Sequence, residues 1–283
     1  MLLNKFQLHL PSTPLEAAKL YKELDDVKVL AGGTFLLNSL KLLKTKGTRT
    51  PKHVLALTHI KGLKGVSMES GHLTIKAMTT VSELFESPLL KDNLSILKEV
   101  CRNISTNPIR NMATIGGNLT CRYTWTEMGA VMVALDAAMH FLSPQGQVST
   151  CTAEEFFKNG ARCDALFTHV TLPHDPRIRV AYRRVKKTLH VDVPLLAVCV
   201  SAEYTNERFS RTRVGINNAT AFAQRDRVLE EYLNSANADE GLAASAMEHL
   251  QNDIYDQRSS EYKQHMFRVS LKQAIALIQQ GAS

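Results

Sequence analysis

Apolar residues recur along the chain in two patterns, one with helical spacing and one with the alternation of a strand. The helical spacing predicts helices over residues 14–24, 35–43, 93–102, 128–135, 221–233 and 262–278. The shorter runs predict strands over residues 27–31, 53–57, 73–77, 139–142, 166–172, 193–204 and 211–217. Local signals support several of these elements. Ser12 or Thr13 suits the cap of the first helix, and Ser82 and Glu83 suit a further helix start near Thr80.

The order of these elements predicts an α+β chain with an α/β beginning. The proline-bearing stretch 173–177 predicts a boundary between residues 1–175 and 176–283. The first domain divides again near residue 60, into subdomains 1–60 and 61–175. The second is a smaller α+β domain, in which an antiparallel hairpin turns at Asn206.

Composition excludes some classes of protein. Lys and Arg exceed Asp and Glu by 34 − 27 = 7, which favours acidic partners such as phosphates or nucleotides, or else a solvated basic surface. The five cysteines are irregularly spaced without a CxxC pair, so we expect free thiols in the cytoplasm and neither a zinc site nor an iron–sulfur cluster. We also expect no membrane-spanning helix and no secretory signal.

Two glycine pairs are the main candidates for chemistry. The first lies in LAGGTFLL at residues 30–37, after a strand, and the second in ATIGGN at residues 113–118, before an apolar helix. Such glycines let backbone N–H groups turn outward and approach an anion, with Thr34 and Thr114 as further donors. Taken alone, either pair more often marks a tight turn. Neither pair forms a GxGxxG or GxxxxGK[ST] motif.

The combination of motifs is more specific than either glycine pair. AGGT at residues 31–34 is followed by IKAMTTVSEL, ISTNPIRNMATIGGNL, ALDA, EEFF and VTLP, the last ending at Pro173. In order and spacing these motifs resemble the FAD-binding subunit of the molybdenum hydroxylases, the family of xanthine dehydrogenase and carbon monoxide dehydrogenase. The resemblance covers nearly the whole chain.

The resemblance implies a two-subdomain FAD-binding domain of the PCMH type, followed by a C-terminal α+β domain. It implies an oxidoreductase subunit that is active only within a hetero-oligomer, with molybdopterin on one partner subunit and [2Fe–2S] clusters on another. Electrons would pass through FAD to NAD or another acceptor. The stretch around the first glycine pair looks most like bacterial purine hydroxylase subunits, which points to xanthine or a related purine as substrate.

The resemblance also implies which residues contact FAD. Residues 29–36 would wrap the pyrophosphate, residues 114–118 would form a second arm, and Ile104 would pack near the isoalloxazine ring. Cys121 stands where the family often has Thr or Ser. Glu127 stands where many members have Asp, and Arg184 where many members have Lys. Arg184 would lie beside the flavin ring, or else belong to a solvated basic strand. The implied cofactor-binding residues are Val29, Leu30, Ala31, Gly32, Gly33, Thr34, Phe35, Leu36, Ile104, Thr114, Ile115, Gly116, Gly117, Asn118, Cys121, Glu127 and Arg184.

Two other functions are compatible with parts of the sequence. A stand-alone PCMH-type flavin oxidoreductase with covalent FAD commonly needs a His or Cys near the first loop, and residues 29–39 contain neither. A nucleic-acid-binding module would account for the positive charge, but no recognition motif accompanies that charge. We therefore expect no nucleic-acid partner and no membrane partner. We also expect no catalytic residue and no metal ligand in this chain.

Overall fold

The computed structural model describes residues 3–121, 126–159, 164–188, 191–258 and 260–281. Within these residues the chain forms three β-sheets with helices packed against them. Each sheet is built from one stretch of sequence, so the sheets follow one another along the chain. This architecture is α+β and confirms the predicted fold class.

The first sheet is parallel and has three strands. Its elements are β1 (Gln7–His9), α1 (Pro14–Glu23), β2 (Val27–Leu30), α2 (Leu36–Thr45) and β3 (His53–Ala56). The strand order is β1-β3-β2, and α2 provides the crossover that parallel neighbours require. Thr13 caps α1 by accepting the Glu16 N–H at 3.1 Å, as one of the two predicted caps.

The second sheet is antiparallel, with strand order β4-β5-β8-β6-β7. Its strands are β4 (Val66–Glu69), β5 (His72–Lys76), β6 (Ala138–Leu142), β7 (Val148–Thr152) and β8 (Leu166–Pro173). Its helices are α3 (Val81–Glu86), α4 (Ile96–Asn103), α5 (Asn107–Arg110), α6 (Ile115–Thr120), α7 (Met128–Ala134) and α8 (Ala153–Asn159), with 3₁₀ turns at Lys61–Leu63 and Asp92–Leu94. Apolar side chains of β5, α4 and α7 share one core.

The third sheet is antiparallel, with strand order β12-β11-β10-β9. Its strands are β9 (Ile178–Lys186), β10 (Pro194–Thr205), β11 (Arg208–Asn217) and β12 (Gln224–Arg225). Its helices are α9 (Arg227–Ser235), α10 (Leu242–Ser245), α11 (Asn252–Asp256) and α12 (Glu261–Gln280), with a 3₁₀ turn at Ala246–Glu248.

Both faces of the third sheet are covered. Side chains of a strand alternate between its two faces. Along β10, Ala197 and Cys199 join the core of the second sheet, whereas Val198 and Val200 join a separate core with α12. One face of the third sheet therefore packs against the elements that surround the second sheet.

Helix α7 lies in backbone contact with the third sheet. A Cβ added to Gly215 of β11 would lie 2.2 Å from the carbonyl oxygen of Ala130, so only glycine permits this approach. At the end of α7, the buried Ser201 hydroxyl donates to the Ala134 carbonyl oxygen at 2.6 Å. The position of α7 is therefore set by the third sheet.

Two stretches that the sequence analysis assigned have another structure. Residues 105–118, predicted as irregular, contain α5 and most of α6, because Pro108 fits the first turn of α5 and Thr114 caps α6. Residues 221–226, predicted as helix, contain β12 instead. Helix α9 begins only at Arg227, because the Asp226 carboxylate accepts the Leu229 N–H at 2.9 Å and caps it there.

Among the residues described, no helix combines the length and the apolar character that a membrane crossing needs. Helix α12 is long enough at 20 residues, but it carries four charged side chains: Glu261, Lys263, Arg268 and Lys272.

Candidate cofactor site

The first glycine loop, residues 31–34, joins the end of β2 to the residue before α2. Gly33 has a φ of +73°, a left-handed conformation that favours glycine. The Asn38 amide Nδ2 donates to the Thr34 carbonyl oxygen at 3.0 Å and holds the loop against α2. Within the described part of the chain, the N–H groups of Gly32, Gly33 and Thr34 donate to no protein acceptor. Consecutive unpaired N–H groups form a concave site that attracts an anion.

In the second glycine segment, residues 114–118, the N–H groups of residues 115–118 are occupied. The Thr114 hydroxyl accepts the Gly117 N–H at 3.1 Å. The N–H groups of Ile115 and Gly116 donate to carbonyls in the segment after β5, at 2.9 and 2.8 Å. A Cβ at Gly116 would lie 2.7 Å from the Ala77 carbonyl oxygen. The expectation of outward N–H groups is therefore wrong for this pair, whose first glycine serves close packing.

The two glycine segments lie against each other. A Cβ added to Gly32 would lie 1.9 Å from the Met112 carbonyl oxygen and 3.1 Å from the Ala113 Cα. A Cβ added to Gly117 would lie 3.7 Å from the Ala31 Cβ. Residues far apart in the sequence thus form one continuous surface beside the unpaired N–H groups of the first loop.

Asn118 is a partly exposed polar side chain of this surface, as is Thr34. Its Oδ1 accepts a hydrogen bond from the Thr126 hydroxyl, and its N–H donates to the Thr114 carbonyl oxygen at 2.9 Å. Cys121 lies one turn later, and its Sγ donates to the Asn118 carbonyl oxygen at 3.2 Å. Cys121 therefore contacts the backbone of Asn118.

Glu127 and Arg184 form a buried ion pair. Arg184 Nη1 lies 2.6 Å from Glu127 Oε1, and the two side chains are 11% and 7% exposed. The Tyr182 hydroxyl donates to Glu127 Oε2 at 2.8 Å. The guanidinium also donates to the carbonyl oxygens of Asn103 and Asp192, at 3.1 and 2.9 Å. The cation is therefore held in one orientation by the protein itself.

Ile104 follows Asn103, whose carbonyl oxygen accepts from Arg184, so the chain places Ile104 beside this ion pair. The Ile104 side chain is buried in the core shared with α4 and α7. Arg110 fixes the backbone here, because its Nη1 donates to the carbonyl oxygens of Arg102, Ile104 and Ser105 at 2.9–3.1 Å.

The Glu127 carboxyl is expected to make stability depend on pH. Burial raises its pKa from an ordinary 4.5 to about 7, although Arg184 and Tyr182 oppose the shift. The folded protein therefore binds this proton more tightly than the unfolded chain does. The resulting stability is present in full below about pH 4.5 and is lost as the pH rises through 7, a change of about 3 kcal/mol. Glu127→Gln should remove this slope between pH 5 and 7, measured by urea unfolding at each pH. An unchanged slope would assign it to another group.

Sequence reasoning missed three residues that shape this site. Tyr182 could have been found from its place two residues before Arg184. No motif marks Thr126 or Asn217, whose side-chain Nδ2 donates to the Thr126 carbonyl oxygen at 2.9 Å. Throughout the described residues, no group of three or more His, Cys, Asp or Glu side chains could hold a metal ion.

The arrangement suits a ligand that carries phosphate. The unpaired N–H groups of the first glycine loop supply donors for an anion, and the Asn118 amide adds a polar contact beside them. The buried ion pair of Glu127 and Arg184 adds two opposite charges that are held in fixed positions nearby in the fold.

Comparison with known proteins identifies relatives. A family model described as the FAD binding domain in molybdopterin dehydrogenase matches residues 4–175. The carbon monoxide dehydrogenase medium chain of Hydrogenophaga pseudoflava is 30% identical over 184 residues, 65% of this chain and 60% of that protein. The xanthine dehydrogenase FAD-binding subunit of Escherichia coli O157:H7 is 23% identical over 279 residues, 95% of this chain and 94% of that subunit.

A solved structure shares the whole fold. It is a carbon monoxide dehydrogenase from Hydrogenophaga pseudoflava that lacks the Mo-pyranopterin moiety of the molybdenum cofactor. The likeness has a TM-score of 0.89 and covers 98% of both chains at 24% identity. At that identity the likeness concerns the fold alone.

Proposed function

Since this chain belongs to the family of FAD-binding domains in molybdopterin dehydrogenases, we propose that it is the electron-transfer subunit of a molybdenum hydroxylase complex. In this role it takes electrons from iron–sulfur clusters on a partner chain and passes them through FAD to NAD or another acceptor. It is an oxidoreductase subunit that acts only within the complex.

The unpaired N–H groups of Gly32, Gly33 and Thr34 carry this proposal. They lie where the first glycine loop meets the second glycine segment, and they offer the array of donors that a pyrophosphate needs. The residues present therefore fit FAD. In the proposed arrangement, FAD occupies a cleft between residues 1–60 and 61–175, and the domain formed by residues 176–283 closes it.

The side chains of the proposed site hold the cofactor in different ways. The first loop binds the pyrophosphate through its backbone, and Asn118 contacts the phosphate or ribityl region. Arg184 and Glu127 place a fixed pair of opposite charges near the ring, with Ile104 beside them. Bound FAD supplies the capacity to accept and release electrons. The proposed contacts are the residues Val29 to Leu36, Ile104, Thr114 to Asn118, Cys121, Glu127 and Arg184.

The partners belong to the same proposal. Both relatives are named as single chains of larger enzymes, a medium chain and an FAD-binding subunit. We propose a hetero-oligomer with one molybdopterin-binding chain and one iron–sulfur chain. In this complex the iron–sulfur chain contacts this subunit around residues 104–111, next to the ion pair of Arg184 and Glu127.

The purified chain alone is expected to hold FAD non-covalently, so acid precipitation should release the flavin into the supernatant. Dithionite should bleach the visible flavin absorbance, whereas xanthine should leave it unchanged. Adding the molybdopterin-binding and iron–sulfur chains should make the bleaching depend on substrate. If xanthine or another small substrate bleached the flavin of the lone chain, the stand-alone flavin oxidoreductase would replace the subunit.

The substrate of the complex is proposed to be xanthine or a related purine. The E. coli relative is named for xanthine, whereas the Hydrogenophaga relative is named for carbon monoxide. The reconstituted complex should therefore be assayed with both compounds, and with NAD as the acceptor. Turnover of carbon monoxide but not xanthine would contradict the purine assignment and leave the subunit role intact.

A further inference from the structure

A buried chain of hydrogen bonds connects the third sheet to the candidate cofactor site. Asn217, at the end of β11, donates from Nδ2 to the Thr126 carbonyl oxygen at 2.9 Å. The Thr126 hydroxyl in turn donates to Asn118 Oδ1. Thr126 and Asn217 are only 5% and 2% exposed, so water does not compete for the bond between them, whereas the bond to the partly exposed Asn118 is half-buried.

The bond from Thr126 fixes the direction of the Asn118 amide. A primary amide is planar and carries its acceptor and its donors on opposite sides. Because Oδ1 faces Thr126, Nδ2 faces away from it, and no protein acceptor for Nδ2 is found in the described part of the chain. Asn118 is partly exposed, so its N–H groups are available to a ligand.

Close packing fixes the position of the chain as well. A Cβ on Gly129, at the start of α7, would lie 2.5 Å from Asn217 Nδ2 and 3.0 Å from the Ala223 Cβ. Any larger residue at position 129 would push Asn217 away from Thr126. The close approach of Gly215 to Ala130 and the hydrogen bond from Ser201 to Ala134 hold the rest of α7 against the same sheet.

We infer that Thr126 and Asn217 are positioning residues, which orient the Asn118 amide so that it donates to an acceptor oxygen of FAD. This inference rests on the proposed function, because it presumes that FAD is the ligand. It assigns the polarity of the contact: Asn118 meets an oxygen that accepts, such as a phosphate or carbonyl oxygen, and not a hydroxyl that must donate.

Asn118→Asp tests the polarity directly. The carboxylate keeps the shape and the acceptor for Thr126, but it replaces the donor with a negative oxygen. FAD should bind about 100-fold more weakly at pH 8, as expected when a donor to a charged or strongly polar oxygen is lost. Equal or tighter binding at pH 8 would overturn the assigned polarity.

Thr126→Val and Thr126→Ser test the positioning. Valine removes the hydroxyl at nearly constant volume and should weaken FAD about tenfold, whereas serine should restore most of the affinity. Thr120→Val is the matched control, because its hydroxyl donates within α6 to the Gly116 carbonyl oxygen at 2.7 Å and should not affect FAD. Melting temperatures of the FAD-free variants separate lost binding from lost folding.

The outcomes distinguish the inference from the proposed function. FAD affinity that is equal in the folded valine and serine variants would overturn the positioning role, even though FAD still binds. A parent protein that binds no FAD would overturn the proposed function itself. If the valine variant fails to fold, Asn118→Asp, at a partly exposed position, still decides the polarity.

Discussion

Replacing Gly32 with alanine is expected to remove most of the FAD from the purified protein. The added Cβ would lie 1.9 Å from the Met112 carbonyl oxygen and 2.8 Å from its carbonyl carbon. These are backbone atoms, so no rotamer change can relieve the overlap, and the two glycine segments must separate. Overpacking of this kind costs about 1–3 kcal/mol, which corresponds to FAD binding that is about 5- to 150-fold weaker.

The ratio of flavin to protein after gel filtration measures this effect. Gly62→Ala is a suitable control, because its Cβ would meet only the Pro14 side chain at 3.6 Å, an ordinary contact. Gly33→Val should also lose FAD, because Gly33 has a positive φ and Leu30 and Leu37 would lie 3.3 Å from the new Cβ. Full flavin loading of Gly32→Ala would show that the junction of the two segments is not needed for FAD.

Turn and capping residues in the sequence predicted those elements whose structure is decided by residues close together in the chain. The hairpin of β10 and β11 was predicted with its turn at Asn206, and the structure has Asn206 and Glu207 at φ of +51° and +55°. Strands β1 and β7 were not predicted. Their side chains are mostly exposed at sheet edges, so they carry no apolar alternation.

The second glycine segment shows why a motif alone misjudges chemistry. GG before an apolar helix predicted outward N–H groups at both Gly116 and Gly117. The sequence does not reveal that Thr114 caps this helix with its own hydroxyl, nor that the segment after β5 lies beneath it. Those contacts consume the donors, and they leave the Asn118 side chain as the polar group that faces outward.

The sequence pattern also did not predict which residues of the third sheet lie side by side. The strand registers place Arg184, Ala197 and Asn217 side by side on β9, β10 and β11. The row faces the core that contains α7, so Arg184 meets Glu127 and Asn217 meets Thr126. Such contacts depend on the register of the sheet, and irregular pairings at Ser201/Glu203 and Pro194/Leu196 shift that register from the one that the turns alone would set.

Arg184→Met is expected to lower the free energy of unfolding by about 3–5 kcal/mol at pH 8, the cost of breaking a buried ion pair by removing one partner. Methionine keeps much of the apolar stem but leaves the Glu127 carboxylate with the Tyr182 hydroxyl as its hydrogen-bond partner among the described residues. Urea unfolding of the FAD-free protein measures the loss. Lys22→Met is the control, because Lys22 pairs with Asp164 at an exposed site and should change stability by at most about 1 kcal/mol.

The loss in Arg184→Met should be smaller at pH 6 than at pH 8. Arg184 lowers the pKa of Glu127, so its removal raises that pKa beyond about 7 and lets the carboxyl become neutral at pH 6. A neutral carboxyl no longer needs a cation, whereas at pH 8 the fold must either bury an unpaired charge or take up a proton. Adding Glu127→Gln to Arg184→Met should therefore recover stability at pH 8 but little at pH 6.

A loss of stability in Arg184→Met no greater than that of Lys22→Met, or a loss independent of pH, would mean that Arg184 and Glu127 are not coupled. Arg184 would then serve the fold through its bonds to the carbonyls of Asn103 and Asp192 alone.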